Sequence, residues 1–414
     1  MTEWVESPLS QLATFQKGRK VDTSPFNGDG YAPYLGASGL GGGDDGFAAA
    51  RLAVIAKSTD TLMLWDGERS GLVGYGRQGV VASTVSKLSP SDKVEPKYLY
   101  YALSERFDWI QHRRTGTGVP HVPKDLGRLL KLRYPKQRTI QQRIATILSG
   151  IDIAIEKTEA LIAKYQQIKA GLMHDLFTRG VLPNGQLRPP RDQAPELYQE
   201  SAIGWIPRDW RLERCVELCS RICVGIVIQP TQYYVTDGVP AFRSANVREV
   251  GIDPSDLVYI SPYANAVLAK SQIKTGDILS VRTGYPGTSA VVPPEFNGAN
   301  CIDILISSPN STVRSEYLCD WINSTFGKEQ VLRQQGGMAQ QHFNVGEMRE
   351  LLVALPQPAE QCQITNRSDS IRIILRVEAE RLQKLRQQKL GLMQDLLTGK
   401  VPAPVDAPET APRP

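Results

Sequence analysis

Arginine, lysine, glutamine and histidine gather in two glycine-bearing stretches of this sequence, a mixture suited to contact with nucleic acid. Between Arg106 and Arg143 ten Lys or Arg stand against only Asp108 and Asp125. That run holds Arg113-Arg114, then TGTGVPHVPK, which carries His121 and ends at Lys124. Flexible glycines let a backbone approach phosphates while guanidinium and ammonium groups neutralise them. Residues 333–342 read RQQGGMAQQH, where the amides of Gln340 and Gln341, beside His342, can pair with an adenine edge. Arg69 and Arg77 join the first set; Arg243, Arg282 and Tyr285, in strand-and-turn settings, join the second. Any one of these residues fits a solvated basic face equally well. Two such loops in matching positions make the collective case.

Other chemistry is poorly supplied. Gly41-x-Gly43-x-x-Gly46 and Gly74-x-Gly76-x-x-Gly79 match the letters of a dinucleotide or S-adenosylmethionine loop. That loop needs an apolar strand before it, a helix after it and an acid about 20 residues on. The first pattern is crowded by Asp44 and Asp45, and the second runs into Val80-Val81-Ala82, which reads as strand. No GxxxxGK[ST] loop occurs, and Val292-Pro293-Pro294-Glu295 lacks the amide of the amino-methyltransferase N-P-P-[YF] motif. Glu95-Pro96-Lys97 is half of a nuclease-like pattern but fits a turn before a helix better. His112, His121, His174 and His342 lack metal-ligand spacing. Cys215, Cys219 and Cys223 recur every fourth residue, as on a helix face, and not as CxxC. The sequence therefore offers no catalytic residue and no metal site.

The elements that must hold the basic loops are duplicated. Residues 169–178, KAGLMHDLFT, return as KLGLMQDLLT at 389–398, with seven of ten positions identical. The same offset of 220 pairs Gln141 with Gln361, Ile144 with Ile364 and Ile151 with Ile371; a nearby offset pairs His121 with His342. Each copy carries one long helix. Ile144, Leu148, Ile151, Ile155, Thr158, Ile162, Tyr165, Leu172 and Leu176 keep the 3.5-residue period of a coiled-coil seam. Ile364, Ile371, Leu375, Leu382, Leu385, Leu392 and Leu396 repeat it, interrupted by Ser368 and Glu378. Matching seams within one chain favour pairing with each other.

Ahead of each helix lies a segment rich in strand and turn signals, such as LAVIA (52–56), LVYI (257–260) and DILSV (277–281), with short helices over 96–106 and 317–330. The expected organisation is a globular unit at 1–138, a long helix at 139–179 and a polar Pro-rich linker at 180–200. A second globular unit at 201–356, a second helix at 357–400 and a disordered Pro-rich tail at 401–414 follow. The fold class is α+β: two mixed α/β domains joined by two long antiparallel helices that form an intramolecular coiled coil, a pseudo-twofold tandem repeat. With 414 residues, 41% apolar and 22% charged, the chain has a globular balance, and its net charge of +5 is too mild to name a partner. No apolar run of about 18 residues is available to span a membrane. Met1-Thr2-Glu3-Trp4 lacks a secretory pattern, and six cysteines are too few for a disulfide scaffold, so a reduced cytoplasmic protein is expected.

The ordering and the phrases resemble the specificity subunits of type I restriction–modification systems. In the first copy the resemblance rests on DTLMLWDGERSGLVGYGRQGVVAST (60–84) and PHVPKDLGRLLKLRYP (120–135). In the second it rests on GWIPRDW (204–210), VPAFRSANVREVGI (239–252), GDILSVRTGYPGTSAVVP (276–293) and QHFNVGEMRELLVALPQPAEQ (341–361), with the linker over 176–207 also typical. One departure is Ile140-Gln141 where the family often has Glu-Gln, kept here as Glu360-Gln361.

The resemblance implies a non-catalytic subunit whose two target-recognition domains each read half of a split, asymmetric site in double-stranded DNA. The paired helices would set the gap and dock two adenine-methyltransferase subunits, with motor-nuclease subunits joining for restriction. S-adenosylmethionine, ATP and Mg²⁺ would then sit on those partners and none on this chain. Two other classes fit less of the sequence. A fused methyltransferase–specificity enzyme needs the missing amide motif and would methylate DNA alone. A coiled-coil scaffold that does not bind DNA would lack steep salt dependence.

Overall fold

The computed structural model describes residues 3–116, 118–333 and 342–403. Gln340, Gln341 and the tail from 404 onward lie outside the described residues. The chain folds as two compact units, one made of residues up to 159 together with those from 381 onward, the other of residues 160–380. The first is discontinuous and the second continuous, yet each combines a globular segment with the near half of its own long helix and the far half of the other.

In the first unit Trp4–Pro8 pairs antiparallel with Lys131–Pro135. A four-stranded antiparallel sheet runs Ala13–Lys17, Val85–Pro90, Thr61–Leu64, Val73–Tyr75 in that spatial order. Thr61–Leu64 is buried along its whole length, so it reads as a continuous apolar run without alternation. A second, five-stranded sheet contains one parallel pair, Tyr34–Val80 and Leu35–Val81. The helix Pro96–Glu105 starts where sequence chemistry places it: Glu95 accepts the Tyr98 N–H at 2.6 Å and Pro96 occupies the first turn. It buries Tyr98, Leu99, Tyr101, Ala102 and Leu103.

The second unit repeats this plan. Arg211–Arg214 pairs with Leu352–Leu355, and Cys219–Val224, Ile304–Pro309, Ile278–Val281, Ser289–Val291 form a four-stranded sheet of the same order. Its companion sheet again holds one parallel pairing, Ala241–Asn300 and Phe242–Cys301. The duplication thus extends to strand order, beyond the residues whose identity is retained.

Two local expectations change. The segment 317–330 is two helices, Ser315–Asn323 and Thr325–Arg333, because Ser324 is extended (ψ 168°) and its hydroxyl bonds the Trp321 carbonyl at 2.6 Å in place of continuing the backbone ladder. The three cysteines do not share a helix face: Cys215 opens a one-turn helix, whereas Cys219 and Cys223 lie on the strand Cys219–Val224. A four-residue spacing also returns to one face of a strand, which the helical reading overlooked.

The long helices are Arg138–Thr178 and Pro358–Thr398, 41 residues each. They pair antiparallel. In the first unit Lys389 meets Asp152 at 2.7 Å and Arg386 meets Glu159 at 2.7 Å, so one helix descends as the other ascends. Ile144 and Leu148 share a core there with Met393, Leu396 and Leu397, and Met173, Leu176 and Phe177 share one with Ile364 in the second unit. Ile144, Leu148, Leu176, Ile364, Ile371, Leu375 and Leu396 are buried, whereas Ile151, Ile155, Ile162, Tyr165, Leu172, Leu382, Leu385 and Leu392 are half-buried. Such a two-stranded seam shields each side chain less than a globular core does. Ser368 and Thr158, polar members of the seam, are both buried. The architecture is α+β: two mixed α/β domains joined by an antiparallel, intramolecular helix pair. Among the described residues no helix is long and apolar enough to cross a membrane.

Both helices end on glycine in a left-handed turn, Gly180 (φ 62°) and Gly399 (φ 75°). A Cβ on Gly180 would lie 2.3 Å from Glu360 and 2.5 Å from Trp210; one on Gly399 would lie 2.5 Å from Trp4. Each helix end is thus packed on a tryptophan of the following or preceding strand region, at a distance only glycine permits.

Candidate nucleic-acid interface

The predicted basic residues of the first unit converge on the loop that follows strand Thr61–Leu64. Val122 N–H donates to the Trp65 carbonyl at 2.9 Å, which fixes the segment carrying His121 against that strand end. His121 Nδ1 donates to Asp66 at 2.7 Å, and Lys17 reaches the other Asp66 oxygen at 2.8 Å. Arg114 ties the same loop from the far side, donating to the Glu68 carbonyl at 2.6 Å and to the Gln111 carbonyl at 3.0 Å. Arg69 and Lys124 are exposed, with no ion pair among the described residues. Arg113 is exposed too, its guanidinium 4.0 Å above the Trp109 ring. Arg77 stands apart from this group; its guanidinium lies against Gly42 beside a different turn.

The second unit places His342 at the same point. Phe343 N–H donates to the Arg282 carbonyl at 2.9 Å, as Val122 does to Trp65, so each histidine sits one residue before the same strand-end anchor. His342 is exposed. Arg282 pairs with Asp303, a non-glycine residue held at φ 50°. Asp303 directly follows Ile302, whose N–H bonds the Phe242 carbonyl at 2.8 Å, next to Arg243. Arg243 donates to the Asp256 side chain at 2.8 Å and to its carbonyl at 2.6 Å. Tyr285, 82% exposed, crowns the turn beyond Arg282.

The two clusters can offer cations, an imidazole and hydrogen-bond donors to an anionic polymer. Their acids, Asp66, Asp303 and Asp256, were not visible in the sequence, because partners 13 to 55 residues away leave no periodic signal. Among the described residues no group of three His, Cys, Asp or Glu side chains is arranged to hold a metal ion.

Residues 1–167 match the model of the type I restriction modification DNA specificity domain. The chain is also 26% identical over 436 residues to the type I restriction enzyme MjaVIII specificity subunit of Methanocaldococcus jannaschii, covering 96% of this chain and 93% of that one. Along nearly its whole length the chain is thus similar to the type I restriction specificity subunits. The EcoBI specificity subunit of Escherichia coli is a more distant relative, 21% identical over 89% of this chain and 79% of its own. The fold agrees: the crystal structure of the type I S subunit from M. genitalium superposes with a TM-score of 0.63 at 14% identity, covering 95% of this chain and 96% of that one.

One feature of this chain differs between its two units. Glu360, at the start of the second long helix, is buried and accepts from Val181 N–H at 2.7 Å, Trp210 Nε1 at 3.1 Å and both terminal nitrogens of Arg188. Burial works against the Arg188 charge, but Glu360 and Asp209 outweigh it and hold the guanidinium above its ordinary pKa. The linker is thereby pinned to the second unit. Ile140 stands at the matching position of the first unit and packs within its apolar core.

Proposed function

We propose that this specificity subunit reads a split, asymmetric site in double-stranded DNA, each unit recognising one half. The observation that carries this reading is the matched placement of His121 and His342, each one residue before the same strand-end anchor. Phosphate contacts from Arg69, Arg113 and Lys124 would set register, and side chains near the histidines and Tyr285 would meet base edges. The antiparallel helices act as the spacer between half-sites and as the docking surface for two adenine-methyltransferase subunits. Motor-nuclease subunits complete the restricting assembly in the cytoplasm. This chain does no chemistry itself; S-adenosylmethionine, ATP and Mg²⁺ belong to the partners.

The test is to map adenine methylation across a genome with the methyltransferase subunits present, with and without this chain. A bipartite motif that appears only with the chain supports the reading. An unchanged map, or methylation of DNA by the chain alone, overturns it.

A further inference from the structure

Beside the first unit's basic loop, the four-stranded sheet carries an open hollow of about 540 Å³, lined by Phe15, Trp65, Lys17, Lys124 and Arg128 among others. Phe15 and Trp65 meet edge to face, ring centroids 6.2 Å apart and planes at 83°, and form an aromatic corner. The cations stand along the lining. Lys17 is engaged by Asp66 and Arg128 by Asp125 at 2.9 Å, whereas Lys124 has no ion pair among the described residues. The Trp65 backbone is anchored on both sides, its N–H donating to the Thr84 carbonyl and its carbonyl accepting from the Val122 N–H. It also directly precedes Asp66, the partner of His121. The hollow therefore opens on the same loop as the candidate interface.

We propose that this hollow receives one nucleotide of the bound DNA whose base has left the helical stack. The base would lie against Trp65 and Phe15, and its phosphate would meet Lys124. The inference rests on the reading of DNA by this unit. An aromatic platform accepts the face of any base, and lysine takes the adjoining phosphate. The volume falls within the span of about 300–1,000 Å³ usual for small-ligand sites. A bare anion would leave the aromatic corner unused, and a purely apolar ligand would leave Lys124 without a counterpart. In the second unit the strand-end position of Trp65 is held by Arg282, so the same stacking wall is not repeated there. Only the first half-site would be distorted in this way.

The test uses the full chain and a duplex carrying the methylated site, with a single mismatch moved through each half-site in turn. A mismatch lowers the cost of taking a base out of the stack. One position in the first half-site is expected to bind about tenfold more tightly when mismatched, and none in the second half-site. In the Trp65→Leu variant the mismatched and matched duplexes should bind alike. Lys124→Ala, a change at an exposed position, should also shrink the gain. Mismatches that weaken binding at every position, or a gain that survives both substitutions, overturn the proposal. Loss of the underlying reading is seen separately: the matched duplex itself would then show no salt-dependent binding to the unaltered chain.

Discussion

Gln141 and Gln361, 220 residues apart in sequence, make the same set of hydrogen bonds in their two units. The Oε1 of Gln141 accepts the Glu95 N–H at 2.7 Å, while its Nε2 donates to the carbonyls of Pro135 at 2.7 Å and Lys93 at 3.2 Å. The Oε1 of Gln361 accepts the Arg314 N–H at 2.9 Å, while its Nε2 donates to the carbonyls of Pro356 at 3.0 Å and Thr312 at 3.1 Å. Both side chains are buried. Each clamps the first turn of a long helix to the strand before it and to the loop that opens the short helix.

Replacing Gln141 with Leu leaves one N–H and two carbonyls without their partner in an interior of similar volume. Since each orphaned group costs about 1–3 kcal/mol and some relax towards water, a loss of about 2–4 kcal/mol is expected. Gln361→Leu should cost the same amount in the other unit. Hydrogen exchange resolved by segment checks this: Gln141→Leu should accelerate exchange in residues 85–150 and spare 300–370, with the reverse for Gln361→Leu.

The hub at Glu360 gives a sharper asymmetry. Substituting isoleucine, the residue found at the matching position 140, leaves the Arg188 guanidinium with the Arg179 carbonyl and, as its acid partner among the described residues, the exposed Asp209. Breaking a buried pair from one side costs about 3–5 kcal/mol. Urea denaturation of Glu360→Ile should show that loss, and the double variant with Arg188→Met should recover a large part of it. Equal stability of the single and double variants would remove the uncompensated charge as the cause.

The exposed cations should behave as phosphate contacts. Arg69→Ala and Lys124→Ala are each expected to weaken binding across all sequences and to lower the slope of log K against log salt by about 0.9. His342→Ala should instead alter methylation of the second half-site alone. Titrations between 50 and 200 mM salt, an interval over which about 10³–10⁵ in affinity is lost for six to ten phosphate contacts, have the range to show it.

The helix pair should act as a ruler. Inserting one heptad into each long helix, near residues 159 and 380, preserves seam phase and lengthens the rod by about 10 Å. At about 3.4 Å per base step the gap should grow by about three base pairs while each half-site keeps its letters. The methylation map of the altered chain reads this directly; a changed half-site with an unchanged gap would contradict the spacer role.

How much of the candidate site could be read beforehand follows from the range of its interactions. Lys124, Arg113 and His121 are neighbours in sequence, so their basic loop stands out as a local excess of charge. Lys17 and Asp66 complete that loop from 104 and 55 residues away from His121 and leave no trace in its composition. Arg114, chosen as a DNA contact, also spends two of its donor groups on backbone carbonyls, and Arg282 and Arg243 each face an aspartate. The sequence shows which residues are cationic but not which cations the fold has already satisfied.

What the sequence determined by itself is the duplication and the two long helices, because a 3.5-residue apolar period and a fixed offset are written in local spacing that chain folding does not alter. Only the tertiary structure decided the rest. It showed that each compact unit takes half of each helix, that Gln141 and Gln361 are clamps, and that Glu360 pins the linker. It also placed Phe15 and Trp65 at one corner. These features depend on residues about 50 to 250 positions apart meeting in a low-dielectric interior, where one unpaired group outweighs any local propensity.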